Sequence, residues 1–135
     1  MKTFFKILGV IILLLAATYA FYYFRYSKSA PIAANCVQSS EVETMVIYTA
    51  DKKFSPPCVA ISSGSKIKWI NQSGSPLSLG ADPHPIHSGN RELTNGEFVL
   101  DIKNGDSADV TLTKKGSFGY HNHLAPWNMG TVVVK

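Results

Sequence analysis

What the chain lacks narrows its functions before any motif is read. Residues 36–135 carry no surplus of charge, with nine Lys and Arg against nine Asp and Glu, so the formal +4 resides in Lys2, Lys6, Arg25 and Lys28. A basic face able to follow a phosphate backbone is missing, which argues against nucleic acid as a partner. No stretch beyond residue 36 shows helical periodicity over ten or more positions, so a helical bundle or an alternating α/β fold is not expected. There is no internal repeat and no low-complexity tract. No paired carboxylates and no Ser-His-Asp order point to a substrate, and the chain is not read as an enzyme.

Cysteine is scarce: Cys36 and Cys58 are the only two, and neither stands beside a histidine. Outside the cytosol such a pair reads as a disulfide, worth about 3 kcal/mol in the chain-entropy account. The competing reading makes one of them a metal thiolate.

One long apolar run is present. "ILGVIILLLAATYAFYYF", residues 7–24, is free of charge, and as a helix it would span about 27 Å, close to the hydrocarbon core of a bilayer. Tyr19, Tyr22 and Tyr23 gather at its far end, followed by Arg25 and Lys28, as in an interfacial belt. Residues 1–28 are therefore expected to form a transmembrane helix, a single-pass anchor in the cell membrane. A cleaved signal peptide is the alternative, although the run is longer than usual and the small-residue cleavage sites are poor. Either way the remainder is exported, extracytoplasmic when anchored and secreted or periplasmic when cut. Residues 29–35 read as a linker and 36–135 as the exported domain.

That domain is patterned in short strands. In "SKIKWIN", Ile67 and Trp69 alternate with Lys66 and Lys68, the period of a strand with one buried face. "TMVIYT", "CVAIS", "EFVLDI", "ADVTLT" and "GTVVVK" read alike, separated by "SPP", "SSGS", "NQSGSP", "KNGD" and "KKGS". About seven strands in a domain of this size means an all-β sandwich or small barrel.

The chain has four histidines, and all fall in two tight pairs, "DPHPIHS" and "YHNHLAPW". His121 and His123, two apart on an extended chain, share a face. Pro83 and Pro85 stiffen the loop around His84 and His87, which lowers the entropy cost of holding ligands in place. Each pair alone can be a solvated or hydrogen-bonded couple. Together, on segments that a sandwich can bring to one end, they predict a shared metal site made of His84, His87, His121 and His123. Neutral imidazole suits copper, zinc and nickel. Asp82 is a candidate to orient His84 or His87, with a turn role as its alternative. Met129 and Trp127 either flank the metal or pack at the rim. Strict alternation through "SFGYHNH" turns the histidines away from the face that carries Phe118 and Tyr120, unless a bulge at Gly119 or an early strand end re-aims them.

"FSPPCVAISSGSKIKWIN" and "GSFGYHNHLAPWNMGTVVV" resemble the opening and closing segments of cupredoxins, the plastocyanin-like family. The resemblance covers most of residues 44–135 and comes nearest to a subgroup with DPHPxH and YHxH motifs. It implies a Greek-key β-sandwich, copper as cofactor, and electron transfer with a redox partner protein. The ligand set departs from the family's. His121 stands where blue copper members have cysteine, "PLSLG" holds Leu77 and Ser78 where the first histidine ligand is usual, and Asn128 takes the axial methionine's place with Met129 one position on. A site without a thiolate is not a blue site; four imidazoles favour a more tetragonal Cu(II), or Zn(II). The expected function is copper binding in electron transfer or copper handling. The alternative is a metal-free β-sandwich that serves as an interaction module.

Overall fold

A computed structural model describes Leu15, Ala16, Thr18 and residues 35–135 of the chain. Leu15, Ala16 and Thr18 are helical. No helix among the described residues is long and apolar enough to cross a membrane. The anchor expected over 1–28, apart from these three residues, and the linker expected over 29–35, apart from Asn35, lie outside the described residues.

Residues 35–135 form two β-sheets. The strands are β1 (Val37–Gln38), β2 (Glu43–Tyr48), β3 (Phe54–Ser55), β4 (Cys58–Ile61), β5 (Ser65–Asn71), β6 (Leu77–Ala81), β7 (Leu100–Ile102), β8 (Ser107–Leu112), β9 (Gly116–Asn122) and β10 (Ala125–Val134). One sheet has six strands in the order β1-β4-β10-β9-β6-β7, the other four in the order β3-β2-β5-β8. The alternation in "SKIKWIN" holds: Ile67 and Trp69 are wholly buried, with Val110 and Leu112 of the neighbouring β8 in the same core. Trp69 anchors that core twice. Its ring meets Tyr120 edge-on at 4.8 Å, and its indole N–H donates to the Leu93 carbonyl at 3.2 Å in the short 3-10 helix Arg91–Thr94. A buried indole thereby keeps its donor satisfied.

The strand expected over 97–102 begins only at Leu100. More consequential is β6, which periodicity does not reveal because all five of its residues are buried. Leu77, Leu79 and Ala81 face the core, and β6 pairs antiparallel with β9, setting Gly80 against His121 and Ala81 against Tyr120. A strand covered on both faces reads as a continuous apolar run rather than an alternating one.

Cys36 and Cys58 form a disulfide with Cα atoms 4.6 Å apart, tying the start of β1 to β4. The thiolate-ligand alternative is thereby overturned.

Candidate metal centre

β9 is the strand on which the site is built. Its period-two alternation sends Tyr120 into the core, where Phe54 and Trp69 surround it, and sends His121 to the opposite, outer face of the six-stranded sheet. No bulge interrupts β9 between Gly116 and His121. The histidines thus lie on the outer face of the six-stranded sheet rather than in the core, near where β9 ends and turns into β10. His121 is nonetheless only 1% exposed, because the loop after β6 folds back over it. Three main-chain relationships fix that loop. The Asp82 amide donates to the Gly119 carbonyl at 3.0 Å, the His87 amide donates to the Pro83 carbonyl at 2.8 Å, and Gly89 packs against the Asp82 carbonyl, where a Cβ would collide.

β9 ends at Asn122, and a two-residue turn, His123-Leu124, leads into β10 at Ala125. His123 is therefore a turn residue, and the shared-face argument for an extended H-x-H pair does not apply. Its place is set by its amide, which donates to the Ser78 carbonyl at 2.6 Å, and by the Asn122 side chain, whose oxygen accepts from the Leu124 amide at 3.1 Å.

The four imidazoles converge. One potential ligand nitrogen from each of His84, His87, His121 and His123 lies within 4.8 Å of the others. His87 Nε2 is 3.1 Å from His121 Nε2 and 3.2 Å from His123 Nδ1. The opposite nitrogens decide the tautomers. His87 Nδ1 faces the Phe98 carbonyl at 2.9 Å, and His121 Nδ1 faces the Asp82 carboxylate at 2.5 Å. Both partners only accept, so both Nδ1 atoms carry the proton and both Nε2 atoms of the neutral rings present bare lone pairs to each other. Two buried lone pairs at that separation repel unless a proton or a cation lies between them.

The separations of His87 from His121 and from His123 suit neighbouring ligands of a four-coordinate ion. With metal–nitrogen bonds of about 2.0–2.1 Å, neighbouring ligand nitrogens stand about 3.3 Å apart in a tetrahedron and about 2.9 Å apart in a square plane. The observed 3.1 and 3.2 Å lie between the two. The electrostatics favour neutral rings at His84 and His87. Partial desolvation, with the neighbouring imidazoles adding to it, holds His84 below the ordinary histidine range; burial does the same for His87 against the opposing hydrogen bond to Phe98.

Asp82 does orient a histidine, but the partner is His121 rather than His84 or His87. Gly119 makes this possible: a Cβ there would overlap the Asp82 carboxylate. Gly80 does the same for His87, whose ring lies where a Gly80 side chain would be, 2.7 Å from Cε1. His87 itself has a φ of 50°, an uncommon backbone state for a side chain of this size, held by its amide and ring hydrogen bonds. Phe98 adds a ring stacked 4.4 Å from His87. Met129 pairs with His121 between β10 and β9 and is 60% exposed, and with Trp127 it lines a surface groove that also includes Phe54, Pro57 and Asn128.

Comparison with known proteins follows this geometry. No family model matches the chain. A plastocyanin from Scenedesmus fuscus is 29% identical over 85 residues, which cover 61% of this chain and 86% of that protein. The purple cupredoxin from Nitrosopumilus maritimus superimposes with a TM-score of 0.53 at 20% identity, over 68% of this chain and 99% of that one. A mutant amicyanin in its Cu(I) form gives a TM-score of 0.54 at 23% identity, over 76% of this chain and 89% of its own.

The domain has the cupredoxin fold.

Within this cupredoxin fold, two of the positions where the resemblance implies the usual ligands, Leu77 and Asn128, are otherwise engaged, while His121 belongs to the imidazole cluster. Leu77 is part of the apolar core. Asn128 and Asn122 both donate to the Tyr48 hydroxyl, at 2.9 and 3.1 Å. Tyr48 and Asn122 of that hydrogen-bonded cluster are buried, and the imidazoles assemble on the outer face of β9. The cupredoxin resemblance is borne out in fold.

Proposed function

We propose that the exported domain binds one copper ion through His84, His87, His121 and His123 and serves copper handling outside the cytoplasm, as a binding protein rather than an enzyme. The observation that carries this reading is the pair of bare Nε2 lone pairs of His87 and His121, 3.1 Å apart and each locked by an acceptor behind it. Imidazoles oriented in this way by a carbonyl and a carboxylate are the usual outer support of a metal ligand. An all-nitrogen set admits Zn(II), and copper is preferred because affinity for such ligands peaks there and because the fold is shared with proteins that carry it, among them the Cu(I) amicyanin. When bound, the ion supplies a redox couple and a charge that this domain can hold or hand on. The chain's own residues fix the rings, keep two of them dry and leave one edge open to solvent.

Electron transfer with a partner protein is a second reading, favoured by the plastocyanin likeness. Anchoring through residues 1–28, with the domain on the extracytoplasmic side, belongs to the same proposal and would hold the site near a membrane.

Metal analysis and electron paramagnetic resonance of the protein expressed with copper test the reading. The expected result is one Cu(II) per chain with nitrogen ligation and no intense thiolate absorption. A protein that retains neither copper nor zinc from excess metal overturns it and leaves the metal-free interaction module. Fast cycling between Cu(I) and Cu(II) with a redox partner favours electron transfer, and ready exchange with chelators alongside slow redox turnover favours copper handling.

A further inference from the structure

The four histidines are not held alike. His87 and His121 are each 1% exposed, and each is fixed through Nδ1. His123 is half-buried, and its main chain is tied to Ser78. His84 is exposed, and among the described residues its ring makes no hydrogen bond and meets the rings of the other imidazoles alone, with centroids 5.9 Å from His87, 5.3 Å from His121 and 5.1 Å from His123. Three donors are thus ordered before any ion arrives, and the fourth is ordered only by what it binds.

From this asymmetry we infer that His84 is the exchangeable ligand, the position at which a nitrogen donor from outside replaces it when the ion enters or leaves. The inference rests on the copper-binding reading. A ring fixed in advance loses little freedom on coordination, whereas His84 must give up side-chain motion to form its bond, so that bond is the weakest of the four. It is also the most exposed of the four to solvent and to a partner, since His87 and His121 are buried. The incoming group is an imidazole or a comparable nitrogen donor: one metal–nitrogen bond breaks as another forms, His84 keeps its lone pair, and no electron changes hands. Pro83 and Pro85 on either side limit how far His84 can withdraw, which keeps it poised to rebind.

The test loads the full chain and its His84→Ala and His121→Ala variants with one equivalent of Cu(II). Three quantities are then read: copper per chain, the paramagnetic resonance spectrum, and the rate of release to a polyaminocarboxylate chelator. His84→Ala is expected to keep one copper per chain but release it about tenfold faster. Free imidazole should shift its spectrum and slow release back toward that of the unmodified protein. His121→Ala is expected to lose stoichiometric copper; His123→Ala takes its place if that variant does not fold. Loss of copper from His84→Ala as complete as from His121→Ala overturns the inference. So does an unaltered spectrum and release rate that imidazole does not affect. Failure of the unmodified chain to bind copper or zinc is a separate outcome that removes the proposed function itself, and this inference with it.

Discussion

The carboxylate of Asp82 accepts from Nδ1 of His121 at 2.5 Å, across 39 residues of sequence, and joins the proline-rich loop to the central strand of the site. This one contact orients a buried imidazole, fixes its tautomer and holds the cover in place. Replacing Asp82 with Asn keeps the shape and removes the charge, so metal affinity is expected to fall about 10- to 100-fold with the fold intact. Gly119→Ala should do the same by displacing the carboxylate it now accommodates. Because both changes act on one contact, the double variant should lose little more than either single one. Competition titrations with a chelator measure all three, and additive losses would separate the two residues.

Gly80 tests the opposite side of the cluster. A methyl group there would stand 2.7 Å from His87 Cε1, too close for the ring to stay. Gly80→Ala is expected to weaken metal binding at least as much as Asp82→Asn, with far-ultraviolet circular dichroism unchanged. Unaltered affinity would mean that His87 is free to move without loss.

Fold and site should be separable. Trp69 is wholly buried in the apolar core, against Tyr120 and the Leu93 carbonyl. Trp69→Ala is expected to cost about 3–5 kcal/mol in denaturant unfolding, through the cavity it leaves and the lost bond to Leu93. While the domain remains folded, its metal stoichiometry should not change. A loss of metal at full folding would couple core and site.

Much of the fold was legible because one-sided strands write a period of two, as Ile67 and Trp69 do against Lys66 and Lys68. β6 was not, since both its faces are covered. The coming together of the two histidine pairs was legible from their clustering and from the stiff loop. Their place on the outer face was latent in the alternation of Tyr120 and His121; what periodicity could not show was the loop that covers them. Gly80 and Gly119 left a usable signal, a glycine inside a strand that marks close approach by another group. Phe98 left none, because it acts through a carbonyl that every residue possesses.

Acidity should act in two separate windows. In the metal-free domain the folded-state pKa values of His84 and His87 lie below the usual 6.5, His84 through desolvation and neighbouring rings and His87 through burial. The unfolded chain therefore takes up protons that the folded one resists, and stability falls as pH drops from above 6.5 toward those lowered values. Bound metal should persist into that range, since protons compete poorly for rings that already disfavour them. The second window belongs to Glu92. Burial opposes its ionisation, but the Thr113 hydroxyl, the Lys114 and Thr113 amides and Asn90 outweigh it and hold the carboxyl at about 2 against the usual 4.5. Stability from that anion is complete above 4.5 and is lost as pH falls through about 2. Glu92→Gln should flatten the lower limb and leave the upper one, while His87→Gln should do the reverse. Unfolding midpoints followed from pH 8 to 2 distinguish them, and a Glu92→Gln curve parallel to that of the unmodified protein below 4.5 would show that the carboxylate carries no such linkage.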